Sequence, residues 1–427
     1  MIRAGSTIDL DIEKPAAGGR MLARYGGQVV LVWGAIPGER VTARVERVGK
    51  GVAYAEAIEV GTPSPDRRAA GSDWRCGGNV YAHVEYERQR VLKGQIIQDA
   101  LGRIGRVPLP APPEVVGSPE AGYRMRARLH AQGGRLGFFR EESHELCDAA
   151  ATRQLLPETA EWLGRIQHRL GAHGLRGITS FEIAENIPAN ERVCHIEVEG
   201  SVDVNTLAAL AMETGLTGLT AGRVMRPGVE RLAGSPTVTD VLHVTDDTPP
   251  RAVRLRRDVQ AFFQGNRFLL RTLVRHVLAL VPPGPVVDLY AGVGLFGLSV
   301  AATGAADITL VEGDPVSGAD LEGNAAPFSD RVYVRRTSVE EWLRALARPD
   351  VATFIVDPPR TGMSREALTG IIAQKPERVV YVSCDVATLA RDVRTFLDAG
   401  FELGPLTGFD LFPNTAHVET VAVLDRG

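Results

Sequence analysis

A cysteine and a glutamate near the C-terminus are of the right type, and in the right setting, to do chemistry. Cys384 follows the apolar run VVYVS and directly precedes a helical pattern, DVATLARDVRTFL. A helix N-terminus favours the thiolate, which is the nucleophilic form of cysteine. Glu419 follows LFPNTAHV and precedes the apolar run TVAVLD. We interpret Cys384 as a candidate nucleophile, Glu419 as a candidate general base, and His417 beside it as a structural residue.

The segment DLYAGVG has the residue types of a ligand-binding turn. Gly292 and Gly294 allow a tight turn and close approach of the backbone to a ligand. A dinucleotide site would favour GxGxxG, so this spacing, with Tyr290 inside it, suits a cofactor without pyrophosphate. Glu312 lies 18 residues after Gly294, close to the offset at which an acid grips ribose hydroxyls. The alternative is a glycine turn in another α/β protein, with Glu312 an exposed acid.

A third strand end carries Asp357, in the segment IVDPPR. Proline has no N–H and a fixed φ, so Pro358 and Pro359 stop strand pairing and hold the chain rigidly. Asp357 is therefore predicted to face the crevice at the carboxyl ends of the strands, where such sheets bind ligands. The alternative is a stiff turn with a solvated acid.

These motifs require an α/β domain to position them. From about residue 255, an amphipathic helix (NRFLLRTLVRHVLALV) precedes apolar runs that mostly alternate with helical patterns. The runs lie in PVVDL, ADITLVEGD, RVYVRR, TFIVDPP, RVVYVSC and ETVAVLD. This alternation predicts a doubly wound, largely parallel, Rossmann-like sheet over residues 255–427.

Two more domains are predicted upstream. Residues 1–60 contain short strands separated by glycine turns, a pattern typical of a small OB-like β-barrel. The stretch GTPSPDRRAAGSDWR is predicted to be a linker, and residues 61–254 mix strands and helices as an α+β domain does. Within it, residues 84–105 predict a helix that is a candidate for packing on the C-terminal domain. Its apolar side contains Val91, Ile96, Ile97, Ala100, Leu101 and Ile104.

Composition narrows the class of protein. The 427 residues include 48 basic and 52 acidic side chains, a net charge of −4 that excludes a globally basic nucleic-acid binder but allows a local basic face. The sequence has no membrane-spanning run and no signal-peptide pattern, so we expect a cytoplasmic protein with neither a membrane partner nor an obligate protein partner. The four cysteines are scattered, which predicts neither a disulfide framework nor a zinc site.

The chain resembles the RNA 5-methyluridine (uracil-C5) methyltransferase family. The resemblance rests on DPPRTGM, VSCD and LFPNTAHVE, in that order and spacing, and extends to FFQGN, DLYAGVG and VEGD. The N-terminal segment GQVVLVWGAIPGERV resembles a TRAM domain, the RNA-binding barrel of this family, and YRMRARL and LGFFREESHEL resemble family segments of the middle region. Nearly the whole chain is covered.

The resemblance implies an activity and roles for particular residues. S-adenosylmethionine would be the methyl donor and RNA, either tRNA or rRNA, the partner. Gln264, Tyr290, Glu312 and Asp357 would contact the donor or order its pocket. The thiolate of Cys384 would add to C6 of uracil so that C5 can attack the methyl group, and Glu419 would then remove the C5 proton.

The sequence departs from the family at an iron–sulfur site. Many members bind a [4Fe–4S] cluster through four cysteines, including a CGGC segment. Here that segment reads CGGN, with Asn79 in the last position and Ala70 six residues before Cys76. Cys147 matches the fourth position. Because such clusters need four thiolates, the resemblance implies no cluster here, and we expect no metal.

Arginines that alternate along YRMRARLHA are candidates for RNA contact. Arg124, Arg126 and Arg128 would project from one face of a strand, where they could follow a phosphate backbone. The alternative is a solvated strand face. A target base inside folded RNA would have to flip outward to reach Cys384.

Three other functions compete with uracil methylation. An RNA cytosine-C5 methyltransferase also uses a thiolate, but that family has a cysteine after the motif proline, where this chain has Arg360. Adenine-N6 methylation uses a DPPY-like motif but does not need Cys384 or Glu419. A non-catalytic RNA-binding or folding factor would not need the motif residues Cys384, Asp357 and Glu419.

Overall fold

The N-terminal strands close into a barrel. The computed structural model describes residues 2–173, 177–200, 203–224, 226–305, 307–346 and 351–427. The barrel order is β1-β2-β3-β5-β4. Its strands are β1 (Thr7–Pro15), β2 (Met21–Tyr25), β3 (Gln28–Trp33), β4 (Arg40–Val48) and β5 (Val52–Thr62). Burial alternates along β1, so one face of the strand fills the interior and the other faces solvent.

The helix predicted over residues 84–105 lies against the C-terminal domain. It comprises α1 (Tyr86–Ala100) and a π-helical turn, Leu101–Gly105. Ile97 is fully buried in an apolar cluster that it shares with side chains of the C-terminal sheet. Two of the predicted apolar positions are wrong, since Val91 is 46% exposed and Ile104 is 40% exposed. The helix is covered along a narrower stripe than its apolar pattern indicated.

The middle of the chain forms a mixed sheet with helices, as the α+β pattern predicts. The short strand β6 (Val115–Val116) comes first and joins the C-terminal sheet. The middle sheet has the order β13-β12-β11-β10-β7-β8-β9. Its elements are β7 (Arg126–Gln132), β8 (Arg135–Phe139), β9 (Leu146–Cys147), α2 (Pro157–His173), β10 (Ile178–Glu185), β11 (Arg192–Val198), α3 (Val204–Glu213), β12 (Gly218–Arg223) and β13 (Arg226–Gly234).

A hairpin before the predicted domain boundary packs with the C-terminal domain. Strands β14 (Thr237–His243) and β15 (Ala252–Asp258) pair antiparallel, and the predicted boundary after residue 254 falls inside β15. Leu242 and Leu255 are buried in the same cluster as the helices that cover the C-terminal sheet. A hairpin carries no strand–helix alternation, so the sequence pattern changes only after it.

The C-terminal domain is a doubly wound sheet in the order β18-β17-β16-β19-β20-β22-β21-β6. Strands β16 to β20 run parallel, whereas β22 is antiparallel to both of its neighbours. The elements are α4 (Leu270–Ala279), β16 (Val286–Leu289), α5 (Gly297–Ala302), β17 (Ile308–Glu312), α6 (Pro315–Ala325), β18 (Val332–Arg336), α7 (Val339–Ala345), β19 (Thr353–Val356), α8 (Arg365–Gln374), β20 (Arg378–Ser383), α9 (Val386–Asp398), β21 (Phe401–Phe409) and β22 (Glu419–Arg426). Apolar clusters cover both faces of the sheet.

Two strands of this sheet escaped prediction, the two-residue β6 and the longer β21. The sequence of β21, FELGPLTGF, contains two glycines and a proline, which disfavour a strand. Its position beside β22 and the two-residue β6 accommodates them, because the register is interrupted between Leu403 and Leu406. Among the described residues, none of the helices has both the length and the apolar character needed to cross a bilayer.

Candidate active site

The glycine turn after β16 adopts a conformation that most residues avoid. Tyr290, Gly292 and Gly294 have φ values of 61°, 58° and 98°. A Cβ on Gly294 would lie 2.4 Å from Cδ1 of Leu298, whereas a Cβ on Gly292 would meet nothing within 4 Å. Gly294 is therefore required for close packing of the turn on its helix, and the backbone at Gly292 borders open space.

Glu312 is fixed at the end of the adjacent strand β17. Its Oε2 accepts a hydrogen bond from the Gly292 N–H at 2.7 Å, and its Oε1 accepts one from the Asp314 N–H at 2.6 Å. The carboxylate is partly buried, and burial raises its pKa. The alternative of an exposed strand-end acid is therefore wrong. Glu312 belongs to the same structural unit as the glycine turn.

Sequence reasoning missed the acid that begins this motif. Asp288 is fully buried, and its Oδ2 accepts a hydrogen bond from the Gly297 N–H at 2.7 Å. Its Oδ1 is buried without a partner within the described part of the chain. Burial raises the pKa of Asp288 to about 8, and the nearby Asp357 and Glu312 act in the same direction. The aspartate of DLYAGVG was the available signal for a buried polar group at this site.

Asp357 directly follows β19, which lies on the opposite side of β16 from β17. It accepts a hydrogen bond from Nε2 of Gln264 at 3.2 Å, so the FFQGN segment reaches the same crevice. Burial raises the pKa of Asp357 to about 7. A carboxyl group in this setting is not a solvated turn residue, and the location predicted for Asp357 matches the structure.

Cys384 and Glu419 lie side by side at adjacent strand ends. The antiparallel register pairs Ser383 of β20 with Thr420 of β22. Cys384 follows Ser383 and Glu419 precedes Thr420, so this register places the two next to one another. Glu419 is buried, and its Oε1 lacks a hydrogen-bond partner among the described residues. Burial and the nearby Asp357 both raise the pKa of Glu419.

In the protein without its substrates, the surroundings of Cys384 oppose the thiolate that its place at a helix N-terminus was expected to favour. Burial, and then the carboxylates of Glu419 and Asp357, raise the pKa of Cys384 from 9.0 to about 12. At the N-terminus of α9 the side chain of Asp385 accepts hydrogen bonds from the Ala387 and Thr388 N–H groups. The N–H groups of Ala387 and Thr388 are thus satisfied by Asp385 and not by the Cys384 sulfur.

Arg360 is a second residue that the sequence did not single out as functional. Its positive charge lowers the pKa of both Cys384 and Glu419 and thus opposes the effect of the neighbouring carboxylates. His417 is exposed, and its ring lies edge-on to Phe412 with a centroid distance of 6.4 Å. Among the described residues its ring makes no hydrogen bond, whereas its main-chain N–H donates to Thr415 Oγ1 at 3.1 Å, and both features agree with a structural role.

The arginines proposed for RNA contact do not share one environment. Nε of Arg126 donates to Glu182 at 2.8 Å, and Nη2 of Arg128 donates to Glu197 at 2.7 Å. Arg124 precedes β7, and its guanidinium group lies over the ring of Phe412, 5.9 Å from the ring centroid. Arg124 is thus close to the candidate active site, whereas Arg126 and Arg128 are paired with acids on β10 and β11 of the same sheet.

The residues at the family's iron–sulfur position do not fit a cluster. Cys76 and Cys147 form a disulfide with Cα atoms 5.7 Å apart, so the expectation of no disulfide is wrong. Packing joins two residues that are 71 positions apart, which their spacing could not indicate. The amide of Asn79 donates to Ser72 and to the Asp73 carbonyl, and Ala70 has no ligand atom.

Known proteins match the sequence of this chain over nearly its whole length. A model of the TRAM domain matches residues 3–58, and one described as tRNA (Uracil-5-)-methyltransferase matches residues 232–427. The 23S rRNA (uracil(1939)-C(5))-methyltransferase RlmD of Halomonas elongata is 32% identical over 98% of this chain and 89% of its own length. The chain belongs to the RNA uracil-C5 methyltransferase family. The predicted family, TRAM domain and enzyme class are confirmed.

Two further comparisons agree with this assignment. The enzyme of the same name from Acidithiobacillus ferrooxidans is 31% identical over 97% of this chain and 96% of its own length. The crystal structure of Pyrococcus abyssi tRNA (uracil-54, C5)-methyltransferase with S-adenosyl-L-homocysteine superposes with a TM-score of 0.78. It is 23% identical and covers 97% of this chain and 99% of its own. The latter likeness confirms the fold: a barrel, a mixed middle region and a Rossmann-like methyltransferase domain.

Proposed function

We propose that this enzyme methylates C5 of one uridine in structured RNA through a covalent bond between Cys384 and C6 of the base. The observation that carries the proposal is the register of β20 and β22, which sets a thiol beside a buried carboxyl group. The reaction needs one nucleophile and one base on the same ring, and these are the two groups at adjacent strand ends.

The methyl donor fits the crevice between β17, β16 and β19. We assign its binding to Gln264, Tyr290, Gly292, Gly294, Glu312 and Asp357. S-adenosylmethionine supplies an electrophilic methyl group on a sulfonium. Burial raises the pKa of Asp288, Glu312 and Asp357 in the protein without its donor, and a cationic donor among them would favour their ionised forms, which in turn would bind it.

The proposed reaction conserves atoms and charge. The thiolate of Cys384 forms a bond to C6, and the C5=C6 electron pair moves to C5, which bonds to the methyl carbon as the carbon–sulfur bond of the donor breaks. Glu419 then takes the proton from C5, and the C5=C6 bond re-forms as the bond to the Cys384 sulfur breaks. The products are 5-methyluridine, the neutral thioether, free enzyme and one proton.

Ribosomal RNA is the first substrate to test. The two relatives named above as 23S rRNA methyltransferases match nearly the whole chain at 31–32% identity, whereas the tRNA enzyme is 23% identical. Arg124, Arg126 and Arg128 are our candidates for RNA contact.

We also propose that the enzyme binds no iron–sulfur cluster, because two of four ligand positions hold Ala70 and Asn79. Protein purified without oxygen should contain no stoichiometric iron, and several irons per chain would contradict this.

Activity is tested with unmodified 23S rRNA, 16S rRNA and tRNA transcripts, the donor and mass spectrometry of the nucleosides. We expect 5-methyluridine in one of these RNAs, and 5-methylcytidine instead would favour the cytosine alternative. Methylation of none of them, or activity that survives Cys384→Ala, would contradict the proposal.

The role of Glu419 is tested by trapping. With Glu419→Gln, addition and methyl transfer precede the blocked step, so a methylated RNA–protein adduct should accumulate and be visible on a denaturing gel. His417→Gln is the matched control and should give none. The adduct should disappear when Cys384→Ala is combined with Glu419→Gln. Normal turnover by Glu419→Gln would assign the base elsewhere.

A further inference from the structure

A buried ion pair outside the strand-end crevice connects α1 to the segment that carries Glu419. Lys93 Nζ forms an ion pair with Asp410, and both side chains are 0% exposed. The same ammonium group donates to the carbonyl of Phe412 at 3.0 Å. Burying two charges is costly, and apolar side chains of similar size often serve stability as well. This pair therefore calls for an explanation other than packing.

A second set of contacts from α1 holds the same segment. Gln89 is fully buried, and its Nε2 donates to Asn414 Oδ1 at 2.9 Å while its Oε1 accepts from the Asn414 N–H at 2.9 Å. The carbonyl of Asn414 accepts from the Tyr81 N–H at 2.8 Å. Asn414 has a φ of 64°, a left-handed conformation that a free loop would populate poorly. We call residues 410–418 the base loop, since Glu419 follows it directly.

The base loop matters because Glu419 is not held by its own side chain. Its Oε1 has no hydrogen-bond partner among the described residues, so the position of the carboxyl group depends on the backbone before it. Glu419 is itself the first residue of β22, where it pairs with Phe409 of β21, and the register of β22 with β20 is fixed. The base loop joins these two strand ends, so its conformation determines how the chain enters β22 and how the Glu419 side chain is presented beside Cys384.

We propose that Lys93 and Gln89 are positioning residues for proton removal, because they hold the base loop in the conformation that presents Glu419 to C5 of the bound base. This rests on the proposed role of Glu419. Cys384 lies in the chain between β20 and α9, so its backbone is not part of the base loop. Loosening the loop should therefore slow the release of the adduct more than it slows methyl transfer.

The test separates these two steps in single-turnover reactions with methyl-labelled donor and RNA. Label incorporation reports methyl transfer, and decay of the gel-shifted band reports release. The first variant, Lys93→Met with Asp410→Asn, replaces the ion pair without leaving a lone buried charge. The second, Asn414→Gly, keeps the left-handed backbone and removes the Oδ1 acceptor, so it gives a reading if the first variant does not fold. The control, Arg257→Met with Asp240→Asn, removes a pair that is 1% and 0% exposed in the hairpin β14–β15.

We expect release to slow about tenfold to a hundredfold in both test variants, the range for a small displacement of a catalytic group, with methyl transfer changed much less. The control should lose stability without a persistent adduct. If the test variants lower both rates together, or release as fast as wild type, α1 has only a packing role and the proposal is overturned. If Glu419→Gln traps no adduct, the proposed base is wrong. If release were slow in the Lys93→Met, Asp410→Asn variant although Glu419→Gln traps no adduct, the ion pair would not act through Glu419, and this part of the proposal would be overturned.

Discussion

The reactivity of Cys384 toward an alkylating reagent should show that its environment suppresses the thiolate. With a pKa of about 12 in place of 9.0, the thiolate fraction at pH 8 falls by about a thousandfold. We expect the rate of carboxamidomethylation of Cys384, followed by mass spectrometry of its peptide from pH 7 to 11, to rise throughout without reaching a plateau. Cys194 is buried and Cys76 is disulfide-bonded, so Cys384 should dominate the reaction.

Three variants of neighbouring charges give the sign of each contribution. Glu419→Gln and Asp357→Asn each remove a negative charge near the sulfur, so they should lower its pKa and speed alkylation at a fixed pH. Arg360→Met removes a positive charge and should do the opposite. Because burial is the largest cause, neither carboxylate variant should restore the ordinary value of 9.0. A plateau below pH 9 in the wild type, or the same profile in all variants, would refute this account.

Two further predictions concern the donor site. The pKa of Asp288 is raised from 3.8 to about 8 in the folded protein, so this carboxyl group ionises at a lower pH in the unfolded chain than in the folded one. The free energy of unfolding should therefore fall as the pH rises between these two values and level off above the higher one. In Asp288→Asn this component should vanish in urea titrations without donor at pH 5 and pH 9, whereas an unchanged pH dependence would contradict the assignment. Gly292→Ala should cost about 1–2 kcal/mol for its left-handed backbone, and Gly294→Ala distinctly more because its Cβ would also meet Leu298 at 2.4 Å. Equal losses in the free energy of unfolding would contradict the packing argument.

The sequence by itself determined the C-terminal architecture and where its motifs lie. Buried parallel strands are continuous apolar runs, so the segments that form β16 to β20 and their carboxyl ends can be located from local composition alone. The carboxyl ends of neighbouring strands meet in one crevice, and this brought Glu312 and Asp357 to the same place in prediction and structure. The short strands of the barrel were equally local features. Strand β21 was lost because its glycines and proline contradict the strand pattern.

Only the tertiary structure decided the electrostatic state of the site. The effect of a helix N-terminus on Cys384 depends on its neighbours along the chain, but the pKa of the thiol is set by burial and by Glu419, Asp357 and Arg360, which come from two other segments. The same holds for the disulfide of Cys76 and for the acids that pair with Arg126 and Arg128. Burial and charge pairing are sums over groups that are distant in sequence, whereas strand and helix patterns repeat within a few residues. A single sequence therefore specifies most of the elements and their ends, and the packing of the barrel, the middle sheet and the C-terminal sheet determines what each side chain faces.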